Sequence, residues 1–233
     1  MRTVLAFTFS NEIVWRGIVN GLVYALVALG LVLVFRASGV INFAQGQIGA
    51  FGGYVMAIMF VNYEVPYGLS FPLAVACGAA LGALTELLVV RRLFHKPRLL
   101  LFIATLGVAQ LILVLQLQLP TIDTFTQYPT LVSSRWEIPG VDVTLRGDQL
   151  VVLIAVPVLV LMLGYLLQRT RFGLAVRSAA DNPSAASLSG ISVRSVSTQV
   201  WVIAGVLSVV SALLIGPIQN LDAGSVQQAL GPN

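Results

Sequence analysis

The chain contains the stretch Ile13-Val-Trp-Arg-Gly-Ile-Val-Asn-Gly-Leu-Val-Tyr-Ala-Leu-Val-Ala-Leu-Gly-Leu-Val-Leu-Val-Phe35, in which Arg16 is the single charged residue. A bilayer core of about 30 Å is crossed by about 20 apolar residues of α-helix. The stretch is also longer than the apolar core of a signal peptide. We therefore predict that it forms a transmembrane helix.

The composition of the whole chain agrees with a membrane location. Of its 233 residues, 58% are hydrophobic and 9% are charged, whereas soluble proteins carry roughly 25% charged residues. The net charge is +4, but the basic residues fall in short clusters between apolar runs, which does not indicate nucleic-acid binding. We expect lipid to cover most of the surface of this protein.

The chain also lacks the residue patterns of common catalytic and metal sites. Cys77 and His95 are the only residues of their types, so neither a disulfide nor a Cys-based metal site can form within one copy. No paired-carboxylate site, H-E-x-x-H or G-x-S-x-G pattern occurs, and there is no G-x-x-x-x-G-K-[ST] phosphate loop. We therefore predict no enzyme activity and no bound cofactor, and any ATP must be bound by a partner subunit.

Six apolar segments reach a length that can span the bilayer. We predict one transmembrane domain over residues 1–233, an all-α polytopic bundle with helices at Ile13–Phe35, Gly46–Asn62, Leu69–Val90, Leu99–Leu119, Leu150–Gln168 and Gln199–Gln219. The second segment is the shortest and the richest in glycine. Between the fourth and fifth helices, Pro120–Asp148 predicts an ordered outer cap or short extracytoplasmic elements.

The charges of the connecting loops predict the orientation. If six helices alternate, nine of the thirteen Lys and Arg residues fall on one side, at positions 36, 91, 92, 96, 98, 169, 171, 177 and 194. The other side carries most of the acidic residues, including Glu64, Asp123, Asp142, Asp148 and Asp222. Basic loops remain in the cytoplasm, so we predict a multi-pass membrane protein with an extracytoplasmic N-terminus.

Polar residues inside apolar helices usually face the bundle interior or an aqueous path. The candidates for lining a translocation path are Asn20, Tyr24, Asn42, Gln45 and Gln110. For Asn20, Tyr24 and Gln110, a contact between helices is the alternative. Asn42 and Gln45 belong to the stretch Ser38–Gln47, which is either a cytoplasmic turn or a partly re-entrant segment. Glu86 lies near the cytoplasmic end of its helix, where we expect it to pair with Arg91.

The loop at residues 169–198 predicts a docking element on the cytoplasmic side. Its segment Pro183–Leu188 has Asp181 or Asn182 as the N-cap and proline at the first helical position. Gly190 then ends the helix. A short capped helix on the cytoplasmic face is typical of a contact with a partner.

Two motifs resemble the permease subunits of bacterial branched-chain amino acid ABC transporters. The first is Asn20-Gly-Leu-Val-Tyr-Ala-Leu-Val-Ala-Leu-Gly30 followed by Ile41-Asn-Phe-Ala-Gln-Gly46, and the second is Arg171-Phe-Gly-Leu-Ala-Val-Arg-Ser-Ala-Ala-Asp-Asn-Pro183. Gln45 stands where that family often has histidine. The chain ends at Gly231-Pro-Asn233, whereas such permeases continue with further helices, so the resemblance implies an incomplete permease or one part of a longer product.

The resemblance implies an importer in which a periplasmic binding protein delivers the substrate to a pair of permease subunits embedded in membrane lipid. Two cytoplasmic ATPase subunits would bind ATP and drive alternating access. Coupling to them would use the loop residues Arg171, Gly173, Arg177, Asp181, Asn182, Pro183 and Gly190. Urea and short-amide permeases of the same superfamily look closely similar. A stand-alone secondary transporter or channel, and a non-transporting scaffold, are the alternatives from other classes.

Overall fold

The computed structural model describes residues 11–94, 96–122, 128–132, 134–137 and 144–219. Their helices are α1 (Asn11–Ser38), α2 (Gln45–Val61), α3 (Tyr67–Thr85), α4 (Arg91–Leu93), α5 (Arg98–Leu117), α6 (Gly147–Arg169), α7 (Arg171–Asp181), α8 (Pro183–Leu188) and α9 (Val193–Gln219). A π-helical turn, Glu86–Val90, joins α3 to α4. The predicted all-α polytopic bundle is confirmed.

Five of the helices are long and apolar enough to cross a membrane: α1, the continuous span Tyr67–Leu93, α5, α6 and α9. The remaining apolar helix, α2, has 17 residues, which corresponds to about 26 Å of helix. It is therefore shorter than the roughly 30 Å hydrocarbon core of a typical bilayer. Each of the six segments predicted from the sequence overlaps one of these helices.

Helix α9 lies at the centre of the bundle and packs against α1, α2 and α3. Glycine makes the closest approaches possible, because a Cβ at Gly205 would overlap the Gly78 carbonyl oxygen and one at Gly82 would overlap the Trp201 carbonyl oxygen. A Cβ at Gly49 would lie 2.7 Å from the Ser208 carbonyl oxygen. Small residues at these positions bring the helix backbones into direct contact.

The described residues that precede α6 pack against one end of the bundle. Two three-residue strands, Arg135–Glu137 and Thr144–Arg146, pair in antiparallel register, and Tyr128 reaches inward to donate a 3.0 Å hydrogen bond to the Gly53 carbonyl. Burial raises the pKa of Tyr128, and the nearby Tyr67 raises it further. Short ordered elements are therefore present where the sequence predicted them.

The loop between α6 and α9 is more helical than predicted. Its short helix is confirmed at Pro183–Leu188, and the N-cap is Asn182, whose side chain accepts from the Ala185 amide at 3.0 Å. Gly190 has φ +83° and follows the helix. In addition, Arg171–Asp181 forms α7, which the sequence did not predict.

Several residues used in the sequence predictions lie outside the described part of the chain. They are His95, Asp123, Asp142, Asp222 and the terminal Gly231–Asn233.

Candidate functional site

A buried polar cluster forms where the α1–α2 connection meets α9. Asn42 and Gln45 are 1% and 2% exposed. The Asn42 Nδ2 donates to Gln45 Oε1 at 3.2 Å, and the Gln45 Nε2 donates to the Ala204 carbonyl at 3.0 Å. The Ser208 hydroxyl donates to the Gln45 backbone carbonyl. These contacts fasten the start of α2 to the middle of α9.

The connection itself is organised by the same asparagine. Asn42 Oδ1 accepts from the Ala44 amide at 3.0 Å, so one side chain shapes the turn and orients Gln45. A side-chain amide can donate and accept hydrogen bonds at the same time. Gln45 does both, because its Oε1 accepts from Asn42 and its Nε2 donates to the Ala204 carbonyl. In this conformation the polar atoms of the cluster bond to each other, so they act as a contact between helices.

The other path candidates lie apart from this cluster. Tyr24 is 58% exposed on α1, and Gln110 is exposed on α5. Asn20 is half-buried, and its Oδ1 has no hydrogen-bond partner in the described part of the chain. Helix α1 packs on α9 and α6, whereas α5 packs on α2. The structure thus brings together Asn42 and Gln45 but does not bring the remaining three to them.

A second polar network lies at the end of the bundle that carries the basic loops. Glu86, in the π-helical turn, is 2% exposed and accepts from Arg91 Nε at 3.3 Å and Nη2 at 3.0 Å. The predicted pairing of these residues is therefore confirmed. Thr198 of α9 joins the pair, since Arg91 Nη2 lies 2.6 Å from its hydroxyl oxygen.

The Thr198 hydroxyl proton has two possible acceptors. Its oxygen lies 2.8 Å from Glu86 Oε2 and 3.0 Å from the Arg194 carbonyl oxygen, and one hydroxyl donates one hydrogen bond. The carboxylate is the stronger acceptor because it is charged. The network therefore links the ends of α3 and α9 through a buried ion pair and a hydroxyl.

Two of the loop residues singled out from the sequence, Gly173 and Arg177, stabilise the turn between α6 and α7. A Cβ at Gly173 would overlap the Leu167 carbonyl oxygen, so the two helices meet there only with glycine. The Arg177 guanidinium donates to that same carbonyl, and a basic group at a helix C-terminus is favourable. Thr170 caps α7 by accepting from the Gly173 amide at 3.2 Å.

The loop exposes both polar and apolar side chains. Arg171, Asp181 and Pro183 are exposed, and Leu174 of α7 and Leu188 at the end of α8 are 57% and 90% exposed. These side chains are therefore accessible on the surface of the described part of the chain.

Two hydrogen bonds between helices were not predicted from the sequence. Thr198 is 112 positions from Glu86, and no sequence signal joins two residues so far apart. Gln47 donates to Gln116 at 3.1 Å and ties α2 to α5. The spacing Gly78-x-x-x-Gly82 was a usable signal for the close approach of α3 to α9, because small residues four apart favour helix contact.

Within the described residues, no group of three or more His, Cys, Asp or Glu side chains is placed to hold a metal ion.

Comparisons with known proteins agree with the membrane bundle. A family model described as the permease component of the branched-chain amino acid transport system matches residues 13–228. The chain is 28% identical over 200 residues to the "Probable branched-chain amino acid transport permease protein LivH" of Methanocaldococcus jannaschii. The aligned region covers 84% of this chain and 63% of that protein.

Two Escherichia coli proteins are also similar. The chain is 26% identical over 221 residues to the high-affinity branched-chain amino acid transport system permease protein LivH, covering 90% of this chain and 71% of that protein. It is 31% identical over 213 residues to the ribose import permease protein RbsC, covering 90% of this chain and 61% of that protein. No solved structure matches the chain.

Proposed function

The chain belongs to the family of branched-chain amino acid transport permease components, and we propose that it is the transmembrane subunit of an ABC importer for branched-chain or related amino acids. Its partners in this proposal are two cytoplasmic ATPase subunits that bind ATP, a second permease subunit and a periplasmic binding protein. The N-terminus is extracytoplasmic, and the loop at residues 169–198 faces the cytoplasm. The chain itself catalyses no reaction.

The observation that carries the proposal is the contact of the loop with the centre of the bundle. Helix α8 is capped by Asn182 and precedes α9 directly, and the first turns of α9 are tied to Glu86 through Thr198. A partner that moves α8 therefore also moves α9 and the end of α3. Since α9 packs on three other helices, a displacement at the loop reaches most of the bundle.

The translocation path in this proposal lies between this chain and the second permease subunit. Tyr24 and Gln110 support this arrangement, because both are polar residues on apolar helices and this chain leaves them uncovered. Uncovered polar groups in lipid are costly, and a partner helix or an aqueous path would remove that cost. Asn42 and Gln45 hold the inner end of α2 in place beside that path.

A second substrate class has a specific observation in its favour. The similarity to a ribose import permease, at 31% identity, makes a sugar the alternative cargo within the same transport mechanism. The binding protein that works with this permease distinguishes the two. Calorimetric titration of that protein with leucine and with ribose is expected to show binding of the amino acid, and binding of ribose alone would reassign the substrate.

A stand-alone transporter or channel is the alternative mechanism. Co-purification distinguishes it, because an importer subunit holds its ATPase partners in mild detergent. We expect the protein, expressed with the genes that neighbour its own, to bring down an ATP-hydrolysing subunit. Recovery of a transport-competent protein without any such subunit would reject the importer.

The loop has its own test within an intact transporter. Gly190 has a positive φ, so Gly190→Ala strains the end of α8 by about 1 kcal/mol; Asp181→Ala removes the acidic residue next to the cap. Both variants are expected to insert normally but to lower uptake and stimulated ATP hydrolysis. The control is Gly164→Ala, where an added Cβ meets nothing within 4 Å. Full uptake by both loop variants would remove the loop from the mechanism.

A further inference from the structure

A half-open cavity of about 430 Å³ lies between the π-helical turn and the junction of α8 with α9. Its volume is within the range of small-ligand sites, which are roughly 300–1,000 Å³. The coupling role proposed above requires contact between these elements and does not require an open space between them. The cavity is therefore large enough to hold a small ligand or part of a larger one.

The lining of the cavity contains basic and hydroxyl-bearing side chains. Arg91 and Arg194 both line it, together with Ser184, Ser187 and Ser197. The charge of Arg91 is balanced by Glu86, which also lines the cavity, whereas the Arg194 guanidinium has no ion-pair or hydrogen-bond partner among the described residues and is exposed. The lining therefore carries one uncompensated positive charge.

The start of α9 adds to this positive potential. Val193 is its first residue and also lines the cavity, so the positive end of the dipole of a 27-residue helix faces the same space. Both the guanidinium and the helix end favour an anion with several acceptor oxygens. The hydroxyls of Ser184 and Ser197 are suitable donors to the same group, whereas the Ser187 hydroxyl already donates to the Ser184 carbonyl.

The cavity also has apolar lining residues and lies near the end of a predicted membrane span. Val90, Phe94 and Ile191 line it, and Val90 is in the last turns of the span Tyr67–Leu93. A free inorganic anion makes no use of these apolar side chains. An amphipathic ligand with an anionic head and an apolar tail matches both kinds of lining residue, and basic sites between transmembrane helices bind anionic lipid headgroups.

We propose that this cavity binds the phosphate group of an anionic phospholipid, with Arg194 and the hydroxyls of Ser184 and Ser197 contacting the headgroup and the apolar lining residues contacting the first carbons of an acyl chain. The lipid would then touch the π-helical turn on one side and α8 on the other. The bound lipid would stabilise the position of the loop relative to α3. The inference concerns a ligand and does not depend on the transported substrate.

Protection of a thiol in the cavity tests the proposal on the full chain. Cys77→Ser removes the only natural cysteine, and Ser187→Cys then places one thiol in the cavity wall. The protein is placed in phosphatidylcholine nanodiscs, or in nanodiscs where part of that lipid is replaced by phosphatidylglycerol, and the rate of reaction with an uncharged maleimide is measured. A lipid present at about nine times its Kd slows labelling roughly ten-fold.

Ser189→Cys in the same background is the matched control. Ser189 is exposed just beyond α8 and does not line the cavity, so it reports any general effect of a negative membrane surface on the reagent or the thiol. We expect phosphatidylglycerol to slow labelling at position 187 and not at position 189. Equal slowing at both positions would overturn the proposal.

Arg194→Gln and Arg92→Gln separate a built site from general basic attraction. Both arginines are exposed, but Arg92 does not line the cavity. We expect Arg194→Gln to lose most of the protection at position 187 and Arg92→Gln to retain it. Equal loss in both variants would reject the site.

Two further outcomes would assign the cavity to another occupant. Inorganic phosphate is added to phosphatidylcholine nanodiscs, and protection equal to that from phosphatidylglycerol would show a free-anion site. Protection that arises only when an ATPase subunit is added would show that a protein fills the space. Either result would overturn the lipid assignment.

Discussion

Breaking the ion pair between Glu86 and Arg91 is more costly for the buried carboxylate than for the guanidinium. The Glu86 side chain is 3% exposed and that of Arg91 is 34% exposed, so the arginine reaches water without its partner and the glutamate does not. Removing one partner of a buried pair leaves the other charge uncompensated. Removing Arg91 therefore costs the free energy of leaving the Glu86 carboxylate buried without a charged partner.

We predict that Arg91→Ala lowers the free energy of unfolding by about 2–3 kcal/mol, because the Thr198 hydroxyl is then the main remaining donor to Glu86. Thermal denaturation of the purified protein in detergent measures the loss. Arg92→Ala is the control, since Arg92 is the exposed neighbour on the same turn, and it should unfold at nearly the wild-type temperature. Equal effects would show that the pair contributes nothing specific.

Gln45 offers a comparable test inside the bundle. Gln45→Leu preserves the approximate volume but leaves the buried Asn42 Nδ2 without its acceptor and removes the donor to Ala204. We predict a loss of about 1–3 kcal/mol, seen in the same denaturation assay. Gln110→Leu, on the exposed face of α5, should cost less than about 0.5 kcal/mol, and a smaller effect at position 45 than at position 110 would contradict the role of the cluster.

The individual contacts were only partly predictable from the sequence. Glu86 and Arg91 lie five residues apart at the end of one helix, so a buried acid with a nearby base indicated their pairing. Thr198 completes the network from another helix, and its part depends on how α9 is rotated. Periodicity does not determine that rotation when a helix is apolar on all sides.

Helix α9 packs very closely against α3, and glycine is the cause. An alanine at position 205 would place its Cβ on the Gly78 carbonyl of α3, and backbone atoms of a packed helix do not move aside cheaply. We predict that Gly205→Ala lowers the free energy of unfolding by about 1–3 kcal/mol or more, as measured by thermal denaturation in detergent.

Gly107→Ala is the matched control on α5, because a Cβ there meets nothing within 4 Å. It should leave stability unchanged or raise it by about 0.5–1 kcal/mol, since alanine favours a helix over glycine. Similar melting temperatures for the two variants would show that α3 and α9 adjust without cost.

The existence of the helices was predictable because length and apolarity determine what can cross a bilayer. The short helix α8 was predictable because asparagine, proline and glycine occur at its cap, first turn and end. The three buried residues of α7, Gly173, Val176 and Ala179, are spaced three apart, so an amphipathic pattern was present in the sequence and was missed. The π-helical turn has no sequence signature of its own.

Across the molecule, the last described helix is the one with the most packing partners. Helix α9 begins at Val193 and packs against α1, α2 and α3, so the central contacts join distant parts of the chain. Contacts of this kind form only after the intervening chain has been made. The loop at residues 169–198 directly precedes α9, which places the proposed partner contact next to the element with the most packing partners.

The orientation of this whole bundle follows from its charges and is open to a direct test. Nine of the thirteen basic residues lie in loops on one side of the predicted spans. Loops rich in Lys and Arg tend to stay in the cytoplasm, and the number of spans between two loops decides whether they lie on the same side. We predict that Glu64→Cys reacts with a membrane-impermeant maleimide in intact cells, and that Ser189→Cys reacts only after the inner membrane is opened. Both variants carry Cys77→Ser.

The two positions are matched, because each is an exposed residue beside a helix end in the described part of the chain. A difference in their labelling therefore reports the side of the membrane and not the accessibility of the thiol. Labelling of Ser189→Cys in intact cells, with none at position 64, would place the basic loops outside. That outcome would also separate the loop at residues 169–198 from any cytoplasmic ATPase, so the proposed coupling would fail together with the orientation.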